Sequence, residues 1–266
     1  MTKVQQLFAV SLTVSMLAAA CGGGGDSQTA TTDTGSSATT TTAAATAKPA
    51  TATVKGVVLY AGAPVTNPKI KMGADPYCET SNTAPVFDES TVVGPNGELE
   101  NVFVYVKTGL EGQTFPTPEA TVVFDQRNCT YHPHVFGIMT NQKLEILNSD
   151  ATLHNVHAVP VNSQEFNVGM PNQGMKISKS FKKSEIMVHI KCEVHPWMSA
   201  YAGVLDHPYF AVAGKGGTYE LPKLPAGTYT LEAWHEKLGT QTQEVTVGEN
   251  GLAEVTFNFG TAGSGS

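Results

Sequence analysis

From Thr53 to Asn258 the apolar residues recur at alternate positions in short runs, and a turn cluster closes most of them. Alternate side chains of an extended chain share one face, so this period builds half-buried strands and cannot line one face of a helix. β-Branched and aromatic residues fill the runs Thr53–Leu59, Asn101–Val106, Glu185–Lys191 and Tyr229–Trp234. Pro95-Asn96-Gly97, Gly216-Gly217, Pro225-Ala226-Gly227 and Glu249-Asn250-Gly251 supply turns. No segment sustains a helical period, and the expected fold class is all-β.

The ends of the chain are of another kind. Lys3, the apolar run Leu7–Leu17 and Ala18-Ala19-Ala20 precede Cys21. The run is shorter than the roughly 20 residues of a membrane span and reads as an export signal over residues 1–20. Small residues before a cysteine resemble the bacterial lipobox, although the usual leucine sits one place early, at Leu17. That resemblance implies lipid on Cys21 and a protein anchored on the periplasmic side of a membrane or at the cell surface. Residues 21–52 are mostly Gly, Ser, Thr and Ala. They cannot bury enough surface to offset their chain entropy, so a disordered tether with a reach of roughly 30 Å is expected. Residues 261–266 read as a flexible tail. The net charge is −7 and no basic stripe is present, which argues against nucleic-acid binding.

The C-terminal part has its own rhythm. Gly217–Val247 (GTYELPKLPAGTYTLEAWHEKLGTQTQEVTV) resembles the carboxypeptidase regulatory-like, or prealbumin-like, β-sandwich, and Gly56–Val65 (GVVLYAGAPV) is similar to that family's first hairpin. The organisation read from this is an N-terminal β region over 53–135, a central domain over 136–207 and a regulatory-like sandwich over 208–260. A sandwich split by an inserted central domain is the alternative arrangement. Such modules are usually structural.

The chemistry concentrates in Cys192-Glu193-Val194-His195-Pro196-Trp197-Met198, which follows an apolar strand. A thiolate, imidazoles and a weak axial thioether form the ligand set of blue copper. The second imidazole appears in His154-Asn155-Val156-His157, after the strand Lys143–Leu147. C-x-x-H-P-aromatic-M resembles the copper loop of amicyanin-type cupredoxins, and HNVH resembles the segment carrying their upstream ligand. The resemblance spans Asn141–His207. It implies a Greek-key β-sandwich holding one type 1 copper on His154, Cys192, His195 and Met198, with Asn155 steadying the thiolate. It further implies one-electron exchange with redox protein partners, no small-molecule substrate, and His195 as the solvent-facing electron port. Glu193 departs from the family's neutral loop, and an anion near the metal favours Cu(II) and lowers the potential.

The remaining cysteines, Cys78 and Cys129, read as a structural disulfide in an oxidising compartment. The alternative is a second metal site on Cys129, His132 and His134 (CTYHPH). His157, His189, His207 and His235 are uncommitted. Neither the His-Cys-His bridge of a multicopper oxidase nor a second loop cysteine for a binuclear centre is present, so enzymatic turnover is not expected. The other function considered is a copper carrier or store that hands metal to a partner.

Overall fold

The alternation resolves, in a computed structural model that describes residues 49–260, into strands and one short helix. The chain begins with β1 (Ala50–Tyr60), α1 (Pro76–Ser81) and β2 (Val102–Thr108). It continues with β3 (Val122–Arg127), β4 (Thr130–His132), β5 (Val135–Met139), β6 (Leu144–Asn148) and β7 (His154–Val159). Next come β8 (Phe166–Met170), β9 (Lys176–Lys179), β10 (Glu185–Lys191) and β11 (Ser199–Leu205). The last are β12 (Phe210–Ala213), β13 (Thr218–Pro225), β14 (Gly227–His235), β15 (Gly239–Val247) and β16 (Leu252–Phe259). The expected export signal and tether (residues 1–48, with Cys21) and the expected tail 261–266 lie outside the described residues.

Four sheets make two sandwiches. The first packs β13-β1-β16 against β12-β2-β14-β15 around Val54, Val58, Leu99, Val104, Leu221, Leu231 and Phe257, all buried. The second packs β5-β11-β10-β7-β8 against β4-β3-β6-β9 around Phe124, Ile138, Ile146, Val156, Val188 and Ala202. The chain is therefore all-β, and β3–β11 lie between the strands of the first sandwich in sequence.

Two sequence boundaries do not coincide with the observed elements. β1 starts at Ala50, inside the stretch read as tether, and Ala52 is fully buried opposite Leu224. Alanine is small enough to fit a strand core even though it adds little to an apolar pattern. The line at 135/136 cuts β5, and β3 belongs with the central sandwich because it pairs in parallel with β6. Alternation assigns a side chain to a face but does not name the strand's neighbour. A third departure is α1 itself. Its signal is Asp75-Pro76, a capping residue followed by a proline at the first helical position; the Asp75 side chain accepts from the N–H groups of Tyr77 and Cys78.

The sandwiches meet closely. Gly137 and Gly203 are register partners on β5 and β11, and a Cβ on Gly203 would lie 2.4 Å from the Phe103 ring. The two glycines make a notch for Phe103 and Phe210. Beside it, His134 Nε2–H donates to Glu236 Oε1 at 2.5 Å, with both side chains over nine-tenths buried. Burial works against a charge on His134, but the hydrogen bond and charge of Glu236 outweigh it and hold the imidazolium to higher pH than usual.

A histidine with a raised folded value stabilises fully below its unfolded value and loses that contribution as pH rises through the folded one. The stability difference between the native chain and His134→Gln should therefore shrink as pH rises above neutral, measured by urea denaturation at several pH values. A constant difference would remove the ionic part of this explanation.

Candidate metal centre

Three segments build the site. β7 opens on His154, β10 ends at Lys191, and the loop of residues 192–198 returns the chain into β11. Its hydrogen bonds close the loop tightly. Cys192 N–H donates to Met198 O at 3.2 Å, Met198 N–H to His195 O at 2.9 Å, and His195 N–H to Cys192 Sγ at 3.3 Å. Asn155 ties the loop to β7, because its Oδ1 accepts Glu193 N–H at 2.6 Å while its Nδ2–H donates to Asn167 Oδ1. Met198 is buried in the same core cluster as Cys192.

His154, Cys192 and His195 are brought together. Their donor atoms lie within 4.8 Å of one another, and all three residues are buried. The two Nδ1 atoms face each other at 2.9 Å. Each ring's other nitrogen has a carboxylate partner: His154 Nε2–H donates to Asp150 Oδ2 at 2.9 Å and His195 Nε2–H to Asp75 Oδ2 at 3.0 Å. With the protons assigned to Nε2 by those partners, both Nδ1 lone pairs point inward, beside a thiol. Converging lone pairs repel unless a positive charge lies among them.

The protonation equilibria express that demand. Burial alone would raise the Cys192 thiol, but hydrogen bonds from His154 and the backbone N–H groups of Asn155, His195 and Val194 hold it below its usual value. Burial would lower His154, yet Asp150 and the thiolate outweigh it and raise the imidazole. Burial lowers His195, a shift that Asp75 only partly opposes. A soft divalent or monovalent cation would satisfy the same cluster by displacing the His154 proton. The donor set, one sulfur and two imidazole nitrogens with a thioether in the same loop, fits copper.

Two expectations change here. His195 is 2% exposed and is no solvent-facing port. The segment leading into α1 covers it, with Asp75 on its Nε2 and Cys78 Sγ at 3.7 Å. That segment is held by the Cys78–Cys129 disulfide, whose Cα atoms are 5.6 Å apart. Glu193 also does not act as a free anion, since it turns outward onto His157 Nδ1 at 2.6 Å and Lys191 Nζ at 2.9 Å. Trp197 packs under the same cover, its ring centroid 5.0 Å from that of His195 and its indole N–H on Cys129 O.

The residues of the alternative second site turn to separate partners. Cys129 is in the disulfide, His132 Nε2 meets Thr130 Oγ1 at 2.8 Å, and His134 meets Glu236. Sequence reasoning missed Asp75 and Asp150. Asp75 was detectable as the capping residue before Pro76. Asp150 sits in a turn four residues before His154, and nothing local marks its role.

No protein-family model matches the sequence, and no curated protein matches it. Solved structures are similar over part of it. A copper-containing nitrite reductase from Thermus scotoductus SA-01 matches 36% of this chain at 17% identity and a TM-score of 0.31. The chain spans only 26% of that enzyme's length. A purple cupredoxin from Nitrosopumilus maritimus matches 32% of this chain and 98% of its own, at 22% identity and a TM-score of 0.27. An oxidised amicyanin variant matches 38% and 97%, at 18% identity and a TM-score of 0.29. The chemistry read from the site rests on its own atoms.

The disulfide spans 51 residues, and loop-closure entropy gives it a stabilising effect on the order of 4 kcal/mol. Replacing Cys78 and Cys129 together by alanine should lower the unfolding free energy by about that amount in guanidinium titrations. An unchanged midpoint would mean that the cover is held by its other contacts.

Proposed function

We propose that this chain is a type 1 copper protein that carries single electrons between redox protein partners, lipid-anchored through Cys21 on the periplasmic side of a membrane or at the cell surface. The observation that carries the reading is the inward convergence of His154 Nδ1, His195 Nδ1 and a depressed Cys192 thiol in one buried cluster. Met198 is the proposed weak fourth ligand. Copper bound there would supply one-electron exchange between its two common oxidation states.

The chain's own residues do the rest. The loop hydrogen bonds and the Asn155 bridge hold the donors in one geometry, so a change of charge at the centre requires little rearrangement. Burial in the core around Phe124 and Val156 keeps water from the donors. No small-molecule substrate, nucleic acid or turnover chemistry belongs to this reading. The first sandwich is read as a carboxypeptidase regulatory-like module with a structural role. A second reading, a copper carrier or store, draws support from the covered His195, because a sealed imidazole edge slows electron exchange through it.

A visible spectrum separates the two. The copper-loaded protein should show an intense thiolate-to-copper band that bleaches reversibly on reduction. Cys192→Ser should abolish it, and Cys78→Ser should retain it while lowering stability. A colourless protein that binds only Cu(I) would sink the electron-carrier reading in favour of the carrier or store.

A further inference from the structure

The two imidazoles are held from behind by carboxylates that come from distant parts of the chain, and those carboxylates are built into one unit. Asp75 Oδ1 accepts the N–H of Cys78, and Asp150 Oδ2 accepts the N–H of Cys129 at 2.8 Å. Each half-cystine thus donates to the carboxylate that holds one imidazole. Two further bonds cross between the sides: Tyr77 Oη–H donates to Asp150 Oδ1 at 3.3 Å, and Thr152 Oγ1–H donates to Asp75 Oδ2 at 2.8 Å. Asn128 and Cys129 both sit at φ 56 in the two-residue turn between β3 and β4, which directs their consecutive N–H groups at Asp150. A non-glycine pair in that region stores backbone strain, and here it is held by the carboxylate and by the disulfide.

We propose that Asp75 and Asp150, braced against each other across the Cys78–Cys129 disulfide, form an outer clamp that positions both copper imidazoles and sets the balance between the metal's oxidation states. The proposal rests on the copper reading above. A carboxylate accepting the outer N–H of an imidazole ligand fixes the ring and raises its basicity. A more basic donor favours the more highly charged ion, so the clamp selects Cu(II). Asp75 belongs to the covering segment and reaches His195 from outside the sandwich that supplies all four proposed ligands. It is a positioning residue, and it reaches the metal only through His195.

Asp75→Asn is the deciding variant. Asparagine caps a helix about as well as aspartate, so the fold is kept while the carboxylate charge facing His195 Nε2 is removed. Asp150 is buried on two backbone N–H groups, and its replacement reports mainly on folding. Three measurements on the full exported protein are compared between native and variant: thermal midpoint, reduction potential, and the NMR exchange rate of the His195 Nε2 proton in the diamagnetic Cu(I) form. The affinity for Cu(II) should fall about tenfold relative to that for Cu(I), which for one electron is a rise of about 59 mV. The Nε2 proton should exchange faster with solvent in the variant. A lowered midpoint with unchanged potential and exchange would overturn the clamp and leave a merely structural aspartate. Failure of the native protein to bind copper would instead overturn the function on which the clamp rests.

Discussion

Two imidazole nitrogens facing each other at 2.9 Å beside a buried sulfur form the interaction on which the rest of the structure turns. Such an arrangement is repulsive on its own, and burial in a low dielectric makes it more so. It persists because the surroundings supply both compensating charge and rigidity. Asp150 and Asp75 orient the outer N–H groups, the thiol is held low by hydrogen bonds, and His154 is raised to accept a proton. The cluster is a demand for a cation, written in lone pairs.

Meeting that demand requires parts that are far apart in sequence. The imidazole of His154 begins a strand, while Cys192, His195 and Met198 lie on one loop some forty residues later. The third contribution comes from before residue 80, in a covering segment that forms no strand of either sandwich's sheets. A disulfide pins that segment where its short helix can present Asp75. Its cover also closes the His195 edge, which is 2% exposed. Beside the cluster in sequence, Leu153, Glu193, Val194 and Pro196 are exposed, and Glu193 is paired with His157 and Lys191.

The first sandwich bears on the site through packing rather than chemistry. The glycine notch at Gly137 and Gly203 lets Phe103 and Phe210 enter against β5 and β11. The latter strand is the continuation of the 192–198 loop, so a rigid interface there limits how far the loop can shift. The buried His134–Glu236 pair adds a directional contact at the same place, from β14's end to the backbone of Ser199, whose carbonyl accepts His134 Nδ1–H at 3.0 Å when that ring is charged.

Much of this was legible in the residues alone. Period-two alternation determines an all-β chain because strand side chains alternate by stereochemistry, whatever the partner strand. Cys192, His195 and Met198 announce themselves by spacing, since a seven-residue loop cannot separate them widely, and HNVH completes the donor set. Tertiary structure alone decided the rest. It decided that β3 pairs with β6 and not with the N-terminal strands, because hydrogen-bond partners between strands are not encoded in local pattern. It decided that His195 is covered, because the cover is some 120 residues distant in sequence. And it decided that Asp75 and Asp150 stand behind the imidazoles, because a carboxylate's role there depends on what its oxygens meet in space, which no spacing along the chain records.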